Sequence, residues 1–294
     1  MSTLIARLCL PLLLLTLIGC LQASPVQESK HTRSLERWFP DPGAQALAVA
    51  AELGDAAEVR RLMKDQGVDP DKHFSTEGMP LVAWPIYTKN PAGLKAMLEN
   101  GADPNAAKNY PLPPDRTPRN YDNALVRAAK EENSIYLKLL LDHGGNPDTR
   151  NVNNESLLFQ AMIWQNQWQN VQLLVERGAD VNARSTATTI LHDYAVRSAF
   201  KQTYWLLQHG ADPSLNYLSA PSERGRSLVI ESIFWMPVKD QALEWQIKCQ
   251  RWLLARNYER PPMPPLYKKK RADFGFPIEE KDIPLPDFNK ETTL

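Results

Sequence analysis

The stretch VQLLVERGADVNARSTATTILHDYAVRSAFKQTYWLLQHGADP, Val171 to Pro213, contains twice the phrase Leu-Leu, two or three further residues, Gly-Ala-Asp. Its two glycines, Gly178 and Gly210, are 32 residues apart. Related phrases occur upstream as MLENGADPNA (Met97 to Ala106), LLLDHGGNPDT (Leu139 to Thr149) and the divergent LMKDQGVDPD (Leu62 to Asp71). Five copies predict a repeat array, in which each unit packs against its neighbours.

The residues that precede these phrases indicate the type of repeat. Thr189-Ile190-Leu191-His192, followed by Asp193-Tyr194-Ala195, resembles the Thr-Pro-Leu-His-x-Ala-Ala opening of ankyrin repeats. More divergent openings stand at Met79 to Val82, Asn123 to Ala129 and Ser156 to Ala161. The resemblance covers residues 41 to 215 and extends to about 258. It implies an all-α ankyrin-repeat solenoid of five repeats plus a divergent C-terminal helix pair, with short finger loops.

Helical spacing of apolar residues predicts the individual helix pairs. The first pair is predicted at Ala44 to Leu53 and Asp55 to Asp65, and the last at Ser227 to Trp235 and Gln241 to Ala255. Pro85 and Pro91 predict a short, irregular first helix in repeat two, because proline disrupts helix interiors. The face expected to close the stack consists of Leu243, Ile247, Trp252, Leu253 and Leu254. Buried helical positions are also predicted for Trp205, Trp245 and Trp252.

The repeat period breaks at two places, residues 107 to 121 and 214 to 226. Both insertions fall where an ankyrin repeat has its finger loop. Four prolines between Lys108 and Asn120 predict a stiff, exposed finger that does not pair as an ordinary hairpin. Such an insertion is either a tolerated loop or a contact element. The sequence leaves both interpretations open.

The N-terminal segment MSTLIARLCLPLLLLTLIGC has a basic residue, Arg7, before an apolar run that is too short to span a membrane comfortably. It therefore predicts a secretory signal. Its ending, Leu17 to Cys20, resembles the lipobox of bacterial lipoproteins, although an ordinary signal peptide that ends near a cysteine is the alternative. The resemblance implies a signal peptide at residues 1–19, a lipid on Cys20 and a periplasmic location. Leu21, in place of an aspartate, indicates the outer membrane.

These features divide the chain into four predicted segments. The signal peptide is followed by a polar tether at residues 20–40, with Trp38 and Phe39 expected to dock on the first repeat. The ankyrin-repeat domain is predicted at residues 41–258. A Pro-rich C-terminal tail at 259–294 is expected to be extended and to wrap over the last repeat.

Charge and cysteine content narrow the kinds of partner. The formal net charge is zero, whereas binding to phosphate backbones needs an excess of Lys and Arg, so no nucleic-acid partner is expected. If Cys20 is lipidated and Cys9 leaves with the signal, Cys249 has no partner for an internal disulfide. Stability must then come from packing between repeats, and we expect a monomer when the protein is unbound.

No constellation of catalytic residues is evident. In the ankyrin pattern the histidine at His192 has a structural role, and this interpretation is favoured over a general base formed with Asp193. His73, His143 and His209 lie apart and lack the spacing of metal ligands. Phosphate-binding and nucleophile motifs are also missing from the sequence. We therefore expect a non-enzymatic protein without metal or cofactor.

Aromatic residues are the more informative signal, with eight Trp and nine Tyr. By register Trp164 lies on the concave face, whereas Trp168 packs at a turn. Exposed aromatics with charged neighbours are typical of protein-binding hot spots, although about half of them could instead cover neighbouring repeats. The candidate partner-binding residues are Tyr87, Tyr110, Arg116, Arg119, Tyr121, Lys130, Glu131, Trp164, Gln165, Arg197, Tyr217 and Arg224.

The functional hypothesis combines the repeat scaffold with the predicted lipid anchor. The chain resembles ankyrin-repeat lipoproteins that are immunity partners of type VI secreted phospholipase effectors in Gram-negative bacteria. This resemblance implies a protein that binds a lipase effector and blocks it. The alternative is a periplasmic scaffold that supports envelope or oxidative-stress enzymes. A third hypothesis, an enzyme within the divergent tail, is disfavoured.

Overall fold

The computed structural model describes residues 32–111, 119–215 and 227–287. The helices are α1 (Thr32–Trp38), α2 (Pro42–Leu53), α3 (Ala56–Arg60), α4 (Trp84–Tyr87), α5 (Pro91–Glu99), α6 (Ala124–Ala129), α7 (Ile135–Asp142), α8 (Leu157–Ile163), α9 (Trp168–Glu176), α10 (Ile190–Val196), α11 (Phe200–Gln208), α12 (Leu228–Trp235), α13 (Asp240–Leu254) and α14 (Pro265–Asp273). Two-residue strands form β1 (Asn109–Tyr110), β2 (Arg119–Asn120), β3 (Arg184–Ser185) and β4 (Thr188–Thr189). The predicted signal peptide and Cys20 lie outside the described residues.

The helices stack as antiparallel pairs in chain order. Repeats one to five are α2/α3, α4/α5, α6/α7, α8/α9 and α10/α11, and α12/α13 is the sixth pair. This all-α solenoid of five repeats and a divergent pair confirms the predicted fold class. The irregular start of repeat two is also confirmed, since a 3₁₀ turn at Leu81–Ala83 leads into the four-residue helix α4.

Every first helix except α4 begins at a side chain that caps it, because the first backbone N–H groups of a helix have no partner within the helix. In α10 the cap is Thr189, whose hydroxyl accepts a hydrogen bond from the backbone N–H of His192 at 3.3 Å. The threonine of the ankyrin-like opening is therefore a helix start. Equivalent caps are Asp41 on α2, Asn123 on α6, Ser156 on α8 and Ser227 on α12.

The Gly-Ala-Asp phrase follows the second helices α5, α9 and α11 and leads the chain to the next repeat. Gly178 and Gly210 have φ angles of 87° and 89°, a left-handed conformation that favours glycine. The following aspartates then join repeats, since the backbone N–H of Asp180 donates to Asp148 Oδ1 at 2.8 Å. In the next link the N–H of Asp212 donates to Asn182 Oδ1 at 2.8 Å. The phrase therefore ends helices and aligns neighbouring repeats.

The core differs from the sequence prediction in the C-terminal pair. Helix α13 buries Gln246, Cys249 and Leu253, whereas Leu243 is 41% exposed. Of the predicted face, Leu253 is thus buried as expected, Ile247, Trp252 and Leu254 are half-buried, and Gln246 and Cys249 were not predicted to be buried. Three tryptophans predicted to be buried are only half-buried: Trp205, Trp245 and Trp252. The fully buried tryptophans are Trp84 and Trp235.

The first long finger pairs at its base, contrary to the prediction. Strand β1 pairs with β2 in antiparallel register, with Asn109 opposite Asn120 and Tyr110 opposite Arg119. Proline cannot donate to a strand ladder, but all four prolines of this finger lie between the paired residues, at 111, 113, 114 and 118. They therefore do not prevent the pairing of the described residues on either side of them.

Both segments outside the repeats contain helices that were not predicted. Within the expected tether, α1 buries Leu35 and packs on α2, and Gln45 Nε2 donates to the carbonyl of Phe39 at 2.8 Å, which agrees with the predicted docking on the first repeat. Trp38 and Phe39 also make edge contacts with Trp84 of repeat two, at centroid distances of 5.8 Å, which were not predicted. Within the expected extended tail, α14 forms with Pro265 in its first turn, where a missing N–H has no cost. No described helix is both long enough and apolar enough to cross a membrane.

Candidate functional site

A groove of about 470 Å³ lies where the first helices of repeats two, three and four end. Its position follows from the stacking, since Tyr87, Lys130 and Trp164 stand at or directly after the C-terminal ends of α4, α6 and α8. We call it the aromatic groove, and its lining residues are Trp38, Glu77, Met79, Tyr87, Tyr110, Tyr121, Asp122, Asn123, Arg127, Lys130, Glu131, Val152 and Trp164.

Five of the thirteen residues that line the groove are aromatic. Trp38 and Tyr87 contact each other with centroids 5.4 Å apart, and Tyr110 and Tyr121 do so at 4.9 Å. Trp164 is 51% exposed and Tyr110 is 37% exposed, which is unusual for large apolar side chains. The wall therefore leaves aromatic surface open to solvent and available for contact.

Each cation of the groove is paired both with a carboxylate and with a ring. Lys130 Nζ lies 3.1 Å from Asp122 Oδ2 and 5.4 Å from the centroid of Trp164. Arg127 Nε lies 3.5 Å from Glu131 Oε1, and its guanidinium is 5.3 Å from the centroid of Tyr87. These contacts orient the rings and leave the groove with nearly balanced charge.

Links between repeats hold the same carboxylates in place. Glu131 forms an ion pair with Lys89 of repeat two. Asp122 Oδ1 accepts a hydrogen bond at 3.0 Å from the backbone N–H of Val152, at the start of repeat four. Burial, and then the negative charge of Glu131, raise the pKa of the neighbouring Tyr136. The groove is therefore built across three repeats and depends on their stacking.

The structure brings six of the predicted partner-binding residues together in the groove: Tyr87, Tyr110, Tyr121, Lys130, Glu131 and Trp164. Gln165 and Arg197 are exposed but do not line it, and Arg197 Nη1 contacts Met162 Sδ at 3.2 Å. The backbone of Arg119 pairs in β2, and its side chain lies outside the described part. Arg116, Tyr217 and Arg224 also lie outside the described residues.

Sequence reasoning missed several groove residues, among them Trp38, Asp122, Arg127 and Val152. Arg127 has a sequence signal, because it precedes Glu131 by one helical turn and so shares its face. Trp38 and Val152 enter from segments distant in sequence, and no local pattern indicates their position.

The groove presents aromatic and charged side chains to a binding partner. We find no catalytic cluster among the described residues that line it. Among the described residues, no three His, Cys, Asp or Glu side chains come together in the way that a metal site requires. The His192 side chain is only 12% exposed, and its Nδ1 lies 3.6 Å from Asp193 Oδ1. Asp193 also accepts a hydrogen bond from the Thr188 hydroxyl at 3.0 Å, within the β4–α10 connection. These contacts tie His192 and Asp193 to the local fold.

Solved structures with this architecture are ankyrin-repeat proteins. The ankyrin repeat domain of Bcl-3, a member of the IkappaB protein family, superposes with a TM-score of 0.54 at 22% identity, covering 73% of this chain and 86% of that one. The ankyrin-repeat protein EF0377 gives a TM-score of 0.52 at 19% identity, covering 74% of this chain and 98% of that one. The chain therefore has the ankyrin-repeat fold.

Comparison at the sequence level gives a distant match. No protein-family model matches the chain. The human SH3 and multiple ankyrin repeat domains protein 2 is 29% identical over 191 residues, which cover 64% of this chain but about 10% of the human protein. Ankyrin repeats are protein–protein interaction modules and are typically non-enzymatic. Fold and groove together define this molecule as an ankyrin-fold repeat array with an exposed aromatic groove.

Proposed function

We propose that this protein is a lipid-anchored component of the bacterial envelope that binds a secreted antibacterial phospholipase effector in the aromatic groove and blocks it. The observation that carries the binding role is the exposed aromatic wall with its paired charges, which is the composition of a hot spot. The signal-like segment ending at Cys20 supports the envelope location. The resemblance to immunity lipoproteins supports the choice of partner.

Inhibition by such a scaffold is steric. Ankyrin repeats present a wide, stiff surface, and a partner seated on it loses access to its own substrate without any chemical step. Trp164 and Tyr110, as the most exposed rings of the groove, would insert into the partner. Lys130 and Glu131 would supply the charged rim and hold the partner in register.

The test is a competition between bacterial strains. A strain that lacks this gene is grown beside a sibling that secretes the effector, and survival is counted. We expect survival to fall and to be restored by the wild-type gene, but not by a Trp164→Ala, Tyr110→Ala double variant. The control is Trp252→Ala, which removes a half-buried tryptophan of α13 that does not line the groove. It should restore survival fully.

Two outcomes would separate this proposal from its alternatives. Equal survival of the deletion strain and its parent beside the armed sibling would sink the immunity role. Recovery of a resident envelope enzyme, and of no secreted lipase, in a pull-down with the wild-type protein would favour the scaffold role. The anchor is tested by Cys20→Ala, which should release the protein from the membrane fraction.

A further inference from the structure

A second cavity, of about 390 Å³, lies at the other end of the molecule between α12, α13 and the chain after α14. We call it the tail pocket. Leu243, Ile247, Phe276 and Leu285 contribute to its apolar wall, and Arg260 and Arg271 are its charged lining residues. None of the described residues that line it is acidic.

The two arginines are held by backbone carbonyls. Arg271 is 6% exposed, and its Nε donates to the carbonyl of Pro277 at 2.6 Å. Arg260 Nη1 donates to the carbonyl of Ile283 at 2.6 Å, with its guanidinium 4.9 Å from the ring centroid of Trp235. Within the described part of the chain, no carboxylate lies at ion-pair distance from either guanidinium.

A buried cation without a counter-charge is costly, because carbonyl dipoles replace only part of its hydration. Desolvation accordingly lowers the pKa of Arg271. A guanidinium has five N–H donors, and the contacts of Arg271 to the carbonyls of Pro277 and Trp235 use only its Nε and Nη1. The pocket thus combines unused donors and two positive charges with an apolar wall.

We infer that the tail pocket binds a single-chain amphiphilic anion, such as a medium-chain fatty carboxylate, with its head on Arg260 and Arg271 and its chain along the wall from Leu243 to Ile247. Charge complementarity selects the anionic head, since the pocket lining carries two cations and no described acid. The volume lies in the usual range for small-ligand sites. At roughly 30 Å³ for each non-hydrogen atom, it holds about a dozen such atoms, which is the size of decanoate.

The test is calorimetric titration of the purified protein with decanoate, decanol, decyltrimethylammonium and acetate. We expect one decanoate per chain and at least tenfold weaker binding of the other three compounds. Arg260→Met and Arg271→Met should each weaken decanoate binding at least tenfold. The matched control is Arg256→Met, because Arg256 is exposed, stacks on Trp252 at 3.9 Å and lies outside the pocket.

Ile247→Trp keeps both charges and fills the pocket, so it should abolish decanoate binding even if Arg271→Met fails to fold. Equal affinity for decanoate and decanol, or unchanged affinity in both Arg260→Met and Ile247→Trp, would overturn the assignment. The source of the anion is tested with vesicles of anionic phospholipid and the Cys20→Ala variant, which cannot be acylated. Retention on vesicles that decanoate does not displace would overturn the assignment to a free amphiphile.

Discussion

Buried side chains of repeats four and five hold two chain segments beside the aromatic groove. Asn170 is 1% exposed, and its side chain donates to the backbone carbonyls of Ala129 at 3.1 Å and Glu131 at 2.8 Å. It thereby fixes the end of α6. The hydroxyl of Tyr194 donates to Asn166 Oδ1 at 2.7 Å and holds the turn that follows Trp164. The groove is therefore largely preformed, which reduces the entropy lost on binding.

Gly78 sets the position of Tyr121 in the groove. Its φ angle is 82°, and a Cβ placed on it would lie 2.4 Å from the ring of Tyr121. We expect Gly78→Ala to lower the free energy of unfolding by about 2–4 kcal/mol, from left-handed strain and overpacking together. Gly210→Ala, at φ 89° with no atom within 4 Å of the added Cβ, should cost only about 1–2 kcal/mol. Equal losses in urea denaturation would contradict the steric contribution.

Asp142 links repeats three and four. Its carboxylate accepts hydrogen bonds from Lys138 at 2.5 Å and from Arg177 at 2.6 Å, and chiefly the first of these lowers its pKa. A folded pKa below the unfolded value of about 3.9 stabilises the fold at neutral pH, and this contribution disappears as pH falls below about 4.

We expect Asp142→Asn to cost at most about 1 kcal/mol at pH 7, because the carboxylate is one-third exposed and solvent screens the pair. The difference from wild type should be smaller at pH 3, because the contribution is lost as pH falls from the unfolded pKa through the lower folded pKa. Urea unfolding at both pH values measures it, and Asp273→Asn, at the end of α14, is the control. The same difference at pH 3 and pH 7 would show that the ion pairs are not its source.

At the scale of elements, prediction succeeded where the signals are local. Helices α2, α12 and α13 were found within two residues because their apolar spacing and their ends are visible in short windows. The common location of Tyr87, Lys130 and Trp164 was predicted for a related reason. The repeat register places the C-terminal ends of the first helices on one face of the stack. The buried face of α13 and the contribution of Trp38 were missed because both depend on chain segments distant in sequence.

Shortening the first long finger would show whether it is a tolerated loop or a contact element, the two interpretations that the sequence leaves open. Replacing residues 111–118 with Asn-Gly keeps Tyr110 and Arg119 and should retain the pairing of β1 with β2, because this turn suits a two-residue hairpin. We expect the free energy of unfolding to change by no more than about 1 kcal/mol, since closure cost varies slowly with loop length.

We also expect partner affinity to fall at least tenfold, because Tyr110 and Tyr121 on either side of the finger line the groove and the finger carries Arg116. The measurement is titration against the purified partner, with Arg116→Ala as the smaller change. Unaltered affinity in the shortened variant would identify the finger as a tolerated loop.

At the scale of the whole molecule, both ends of the stack are covered by segments outside the repeats. At the N-terminal end α1 packs on α2 of the first repeat, and Gln45 Nε2 donates to the carbonyl of Phe39 at 2.8 Å. At the other end Trp235 Nε1 donates to the carbonyl of Pro261 at 2.9 Å, and the hydroxyls of Ser232 and Tyr267 lie 2.6 Å apart, both buried. A solenoid needs such caps, because its terminal repeats have a neighbour on one side only.

Removing residues 259–294 should therefore destabilise the stack from its C-terminal end. Trp235 and Ser232 would lose their hydrogen-bond partners, and the apolar surface of α12 under Tyr267 would be exposed. Since each repeat contacts only its neighbours, we expect amide hydrogen exchange to accelerate strongly in α12 and α13 and little in α2 to α9. The control removes only residues 288–294. Uniform acceleration along the chain would mean that the six helix pairs unfold as one cooperative unit, and the tail would then stabilise the aromatic groove as well as its own end.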